Sequence, residues 1–408
     1  MLNRIKIIML NDSDLVASYL IIGLGFFIAT SVAVTNLILV LLVLLFLYER
    51  RYQERFELVK RNPLTYIIFA LVLMHVIGFL WSENLQIAGE TFSRVKKLMW
   101  VPFLMMYVKK EHIVYYLQAF VLGMMISEIL TYLVWFDIIP QFMYATENYP
   151  SPLMKSTNYS PFVAMSSFLL LYFILFYKDQ GVVQKIISLL FAGTMIINLF
   201  ITGGRAGQVG FFVLFLVLIL GYFKGKIFKG LLFFSIATSI IFLLAYNNLS
   251  FFKIRIDEGI TQAIQFSPGK QDTSVSVRMA LNKNYYEVFK ENFLLGVGTG
   301  DYMDEYKKVN SKSLYKTHIT HPHNMYMLIF VQLGIVGGLI FLTLFLYQIY
   351  YAFKVEDEFR PIRIAFPLFF MAIMSINWYL YTFHTMFLFI YFTAILYNEP
   401  ATKKKIRF

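Results

Sequence analysis

The chain has 408 residues, 59% of them hydrophobic and 15% charged, with a formal net charge of +12 and no cysteine. Apolar runs that match the thickness of a bilayer's hydrocarbon exclude an ordinary soluble globule. Missing thiols exclude disulfides, cysteine nucleophiles and cysteine-ligated metals, and basic residues scattered between apolar runs do not make the single surface a nucleic acid needs.

Leu15–Tyr48 contains no Asp, Glu, Lys or Arg, which predicts two membrane spans joined by a tight turn near Ser31. Arg4 and Lys6 precede this run as in a secretory leader. No small-residue cleavage site interrupts it, so it is read as an uncleaved anchor. Further spans are expected near 64–81, 98–108, 113–135, 161–177, 186–201, 206–223, 228–246, 325–353, 361–381 and 383–397, each bounded by charges or by Gly, Pro and Asn clusters. The fold expected is all-α, a polytopic membrane protein of about twelve helices in one integral domain, 1–408. Between spans nine and ten lies a large periplasmic loop, 247–324. It is far longer than structureless connections usually are, and Val277, Leu281, Tyr285, Val288 and Phe289 share one helical face within it.

Alternate connections (49–63, 109–112, 178–185, 224–229, 354–363) and the two ends of the chain hold 21 of the 36 Lys and Arg residues. The positive-inside rule makes these segments, and both termini, cytoplasmic. Arg50-Arg51 and Lys403-Lys404-Lys405 then read as topology determinants that meet anionic membrane lipid. Arg94, Lys96 and Lys97, in an amphipathic stretch at 82–97, go against the rule and are assigned to the headgroup plane.

Residues able to do chemistry collect on the opposite face. In Thr202-Gly203-Gly204-Arg205 the glycines permit close approach, and the guanidinium beside a helix N-terminus offers a fork of donors matched to phosphate oxygens. The bland alternative is a snorkelling interfacial arginine. Arg278 shares this face, and two arginines suit a diphosphate; Arg278 paired with Asp272 is the alternative. Leu295-Gly296-Val297-Gly298-Thr299-Gly300 lacks the strand–turn–helix setting of a dinucleotide loop and is read as tight turns packing the loop against the membrane. His318, His321 and His323 offer imidazoles suited to accepting a proton near neutral pH, and their spacing fits no standard zinc pattern. Asp301, Asp304 and Glu305 are read as a solvated face rather than a Mg²⁺ site. Glu128 and His75 lie within spans, where ionisable groups are buried against partners or line a pathway.

Taken together, Thr202–Arg205, Arg278, Leu294-Leu295-Gly296-Val297-Gly298, and His323-Asn324 with Gly334 and Gly337 resemble the bacterial O-antigen ligase family. That family's signature is His, then Asn, Ser or Gln, nine residues, Gly, two residues, and Gly, Thr or Tyr, and this sequence meets every condition. The resemblance covers about 158–337. O-antigen polymerases and protein O-oligosaccharyltransferases share much of the pattern. One departure is Asn292-Phe293 where the family has Asn-Pro, which leaves the local turn open.

The resemblance implies an inner-membrane glycosyltransferase with a periplasmic active site. It would move a glycan from undecaprenyl diphosphate to a lipid A–core acceptor with inversion, without metal or other cofactor. Carried onto this chain, His323 is the base and Arg205 and Arg278 grip the diphosphate, with Gly203, Gly204, Asn324 and His321 in support. A polymerase or O-oligosaccharyltransferase using the same donor is the near alternative. A transporter or lipid flippase, suggested by the span count, Glu128 and His75, is the alternative of another class. Asp12-Ser13-Asp14 resembles the Asp-x-Asp signature of metal-dependent glycosyltransferases but falls on the cytoplasmic side.

Overall fold

The computed structural model describes residues 2–177, 180–265, 267 and 273–398; Asp272 and the Lys403-Lys404-Lys405 tract lie outside them. Among the described residues the chain is helical, with no strand. It opens with the expected hairpin, α1 (Leu2–Phe27) and α2 (Val32–Glu49). The turn ends at Ser31, whose hydroxyl accepts from the Val34 N–H and caps α2. A polar helix, α3 (Tyr52–Lys60), leads to α4 (Pro63–Ile77), which starts as helices often do, with an Asn62 cap and proline in the first turn. Then come α5 (Leu85–Val95), α6 (Trp100–Met105), α7 (Ile113–Trp135), α8 (Ser156–Phe176), α9 (Val182–Ile201), α10 (Arg205–Tyr222) and α11 (Ile227–Asn248). The loop region supplies α12 (Ser250–Ile264), α13 (Ser274–Glu291) and α14 (Tyr302–Lys312), and the chain returns through α15 (Met325–Lys354), α16 (Arg360–Met374) and α17 (Phe383–Leu396).

Eight of these segments are long and apolar enough to cross a membrane. They are α2, α4 with its 3₁₀ extension to Trp81, α7 with the turn before it, α8, α9, α10, α11 and α15. The other four expected spans are shorter: the apolar part of α1 from Ser13, α16, α17 and the segment 98–108. The last holds only the six-residue α6. Between Lys97 and Lys109 there is room for about 16 Å of helix, roughly half the hydrocarbon thickness. Leu98, Val101, Leu104 and Met105 are nevertheless buried, so the segment is a core plug rather than a lipid-facing span. The expected span at 361–381 also shortens, because the helix stops at Met374 and the chain unwinds through Asn377 before a 3₁₀ turn at Tyr379–Tyr381.

The connections sort to two ends. Arg55, nearly buried, donates to Glu49 and Asp14 and to the Met106 carbonyl. Asn62 donates to the Tyr397 carbonyl, Asn398 to that of Val108, and Arg363 to that of Leu396 while pairing with Asp357. The segments assigned above to one side of the membrane thus touch one another. Asp14 is held among Arg55, Arg51 and Lys109 as part of that end; the Asp12 side chain lies outside the described residues.

At the other end the loop is stitched into the bundle. Within α15, Gly334 has φ 64° and ψ −164°, a conformation open in practice only to glycine, and it interrupts the helix. The backbone groups freed by the break are satisfied by the glycine run. Val297 N–H donates to the Val331 carbonyl (2.9 Å) and Gly298 N–H to that of Gln332 (3.0 Å), while Ile335 N–H donates to the Phe293 carbonyl (2.8 Å). A Cβ at Gly296 would lie 2.5 Å from the Gln332 backbone, so this close approach needs glycine. Thr299 then anchors to α4, its hydroxyl donating to the His75 carbonyl (2.6 Å). The glycine run is therefore a packing device, as expected. At Phe293 the bond uses the carbonyl, which proline would equally supply, so the departure from Asn-Pro leaves the turn intact.

Candidate functional site

α9 ends at Ile201 with Thr202 as its cap, Gly203 takes φ 66°, and Gly204, which has no side chain to cap with, starts α10. A Cβ at Gly204 would sit 2.0 Å from Ser160 Oγ, so these glycines let α10 press against α8. Arg205, the first residue of α10, is thereby set beside the first turn of α8. A cavity of about 150 Å³ opens there, lined by Tyr149, by Ser156 and Thr157 of α8, Gly203–Ala206, Arg278 of α13, and Ile376, Asn377 and Tyr379 of the α16–α17 connection. Arg205 and Arg278 thus face one space. Burial, and after it the Arg205 charge, lowers the Arg278 pKa. Two cations held together in a half-buried cavity repel, and an anion between them relieves that repulsion. Among the described residues no carboxylate lies within ion-pair distance of Arg278.

His323 approaches from the far end of the loop. It has φ 47°, unusual for a residue with a side chain. Asn324 follows as the cap of α15, its Oδ1 accepting from Tyr326 and Met327 N–H; its part is to set the helix start from which the imidazole projects. His323 Nδ1 lies 3.3 Å from Asn377 Oδ1, and Asn377 lines the cavity. The same Oδ1 accepts from the Trp378 N–H at 3.0 Å, which identifies it as the oxygen. Nδ1 must then be the protonated nitrogen, leaving the Nε2 lone pair available. Burial, and after it the Arg278 charge, lowers the His323 pKa, which keeps the ring neutral and able to accept a proton. His321 does not line the cavity; its ring packs on Trp378 with centroids 4.4 Å apart. His318 is exposed.

Asn377, Tyr379, Ser156 and Thr157 were not among the sequence candidates. The signal for Asn377 was present: a polar residue in an apolar run, Ser375-Ile376-Asn377, marks where the helix opens. The acidic trio has other work. Asp301 accepts from the Glu83 and Asn84 N–H groups (2.8 and 2.7 Å), Asp304 from Asn84 Nδ2, and Glu305 pairs with Lys308. Within the spans, His75 is fully buried, its Nε2 3.0 Å from the Tyr381 hydroxyl, which donates to Gln332; Gln332 in turn donates to the Thr299 carbonyl. This network ties α4, the loop and α15 together, a structural role. Glu128 is buried on α7 beside an apolar groove shared with Leu190, Phe191 and Thr194 of α9, and the Thr194 hydroxyl is its polar neighbour there.

Residues 190–342 match the model of a protein family described as O-antigen ligase. The match contains Arg205, Arg278, the glycine run, His323 and Gly334. A search of curated proteins gives no match.

Proposed function

From the premise that this is a multi-pass membrane protein of the O-antigen ligase family, an O-antigen ligase- or polymerase-type glycosyltransferase, we propose that it transfers an O-antigen glycan from undecaprenyl diphosphate to a lipid A–core sugar. The reaction is placed at the periplasmic face of the inner membrane, with both termini cytoplasmic. Arg205 and Arg278 hold the diphosphate and take up the negative charge that grows on it as the glycosidic bond breaks. His323 Nε2 accepts the proton of the acceptor hydroxyl as that oxygen attacks the anomeric carbon from the opposite side, inverting it, while Asn377 fixes the tautomer. A positioned imidazole contributes ~10²–10⁴-fold. No metal is assigned a role, because the arginine pair supplies the positive charge.

The observation that supports this reading is the meeting of Arg205 and Arg278 in one cavity whose wall, Asn377, bonds the His323 ring. The test is genetic and biochemical. His323→Ala, expressed to the wild-type level in a deletion strain, is expected to leave lipid A–core uncapped while polymer accumulates on the lipid carrier. Full capping by this variant would remove His323 from the mechanism. Single-repeat caps in the deletion strain itself would identify a polymerase instead.

A further inference from the structure

A second cationic cluster lies beside His323, away from the arginine cavity. Arg94, Lys96 and Lys97 place three positive charges within four residues on the side where the charge rule disfavours them. Their nearest carboxylate contact is Arg94 to Glu90 at 3.9 Å, a long and half-exposed pair. Asp301 of the adjoining loop is engaged by two backbone N–H groups, and Asp304 by Asn84 and Lys307. The cluster is nevertheless ordered by aromatic surfaces. The Arg94 guanidinium sits 5.5 Å over the Trp378 ring, the His321 ring packs on the same indole, and Lys97 Nζ lies 5.5 Å from the Phe383 ring. His321 Nδ1 is buried with no hydrogen-bond partner. Burial, then Arg94 and Lys96, push the Lys97 pKa down, as expected of cations brought together without an anion.

The placement matters for the reaction. Asn377 and Trp378 are neighbours in sequence with opposite duties: Asn377 lines the arginine cavity and bonds His323, whereas Trp378, Arg94 and His321 do not line it. An inverting displacement puts nucleophile and leaving group on opposite sides of the sugar, so the acceptor must approach His323 from a side other than that of the diphosphate. We propose that Arg94, Lys97 and His321, gathered on Trp378, form a second anion subsite that holds a phosphate or carboxylate of the acceptor glycolipid. This rests on the glycosyltransfer reading above.

The test uses the full-length protein in phosphatidylcholine nanodiscs, with lipid-linked donor and lipid A–core acceptor, either intact or stripped of its phosphates by hydrofluoric acid and of its carboxylates by reduction. Arg94→Gln and Lys97→Gln are each expected to raise the acceptor KM about tenfold, with donor KM and kcat within about twofold of wild type. Stripping the acceptor is expected to raise the wild-type KM by a similar factor and to add little in Arg94→Gln. A thermal melt and Arg94→Lys, which keeps charge but loses the planar stack, separate binding from folding. The proposal is overturned if Arg94→Gln alters donor KM or kcat instead, or if wild type is indifferent to stripping. It is also overturned if the Arg94 effect appears only in phosphatidylglycerol discs, which would mean that the cluster holds bilayer headgroups. Acceptor capture by the immobilised protein, which needs no turnover, is measured in parallel. Equal capture by wild type and Arg94→Gln removes the subsite, whereas absence of transfer with Arg94-dependent capture removes the catalytic reading and leaves the subsite standing.

Discussion

Replacing Gly334 by alanine tests whether the loop is inserted into the break in α15. Three costs follow from the geometry. The residue has φ 64° and ψ −164°, and holding a residue with a Cβ there costs roughly 1–3 kcal/mol. The new Cβ would lie 2.3 Å from the Leu294 carbonyl oxygen, so the glycine run must move away from the helix. That movement weakens the bond from Ile335 N–H to Phe293 at 2.8 Å and the longer one from Val336 to Leu294, at about 1 kcal/mol each. The sum, about 3–5 kcal/mol, is a large share of the ~5–15 kcal/mol by which proteins are stable. At about 2 °C per kcal/mol for a large chain, the expected drop in Tm is roughly 6–10 °C. It is read by fluorescence-detected size exclusion of the heated, detergent-solubilised protein. Gly193→Ala is the control, since that glycine lies inside α9 with nothing within 4 Å of a built Cβ. Gly296→Ala, which breaks the same junction from the other side, is expected to be less than additive with Gly334→Ala. A Gly334→Ala protein melting within about 2 °C of wild type would refute the inserted-loop account.

Arg278→Gln is expected to cut transfer by ~10²–10³-fold through loss of charge at the leaving group. It also removes one cause of the low His323 pKa; the pKa rises, the ring is protonated at higher pH, and the acid limb of the kcat/KM profile moves up. Asn377→Ala is expected to act in the opposite sense, since its hydrogen bond favours the charged ring: the acid limb moves down and kcat falls roughly tenfold or more as the tautomer is freed. Shifts in the same direction for the two variants would contradict the assigned contacts. Glu128→Met is expected to raise stability by about 1–3 kcal/mol, seen as a higher Tm, because the carboxyl is buried in an apolar groove with the Thr194 hydroxyl as its polar neighbour; a lower Tm would show that the contact with Thr194 outweighs the cost of burial.

Much of the architecture was legible because membrane spans announce themselves by charge-free length. The hairpin broken at Ser31, the ends of α7 and the start of α15 at Asn324 follow from composition and capping alone. What misled was length without context. The segment 98–108 is apolar but too short to cross, and the run 361–381 breaks at Met374, where Ser375 and Asn377 interrupt the apolar residues and tertiary contacts help to hold Asn377–Tyr381 open. The long loop's amphipathic face was readable, and Leu281, Tyr285 and Val288 are indeed buried. The insertion of residues 293–299 into α15 was not, since its hydrogen bonds join residues distant in sequence. Asn377 does carry a local signal, a polar residue in an apolar run, but its place beside His323 rests on a contact 54 residues away in sequence.

The spacing of the His323 signature acquires a physical meaning from this junction. Asn324 caps α15 one residue after the imidazole, and Gly334 breaks the helix where the glycine run enters. The first part of α15 is thus held at both ends. That glycine run is also the direct continuation of α13, which carries Arg278 and ends at Glu291, and Thr299 and Gln332 bind it to α4 and Tyr381. Arg278 and His323 consequently ride on one stitched unit, while Arg205 is brought in separately by α10, where Gly204 lets it close on α8. Changes at Gly296 or Gly334 should therefore disturb Arg278 and His323 together, while a change at Gly204 should displace Arg205 alone.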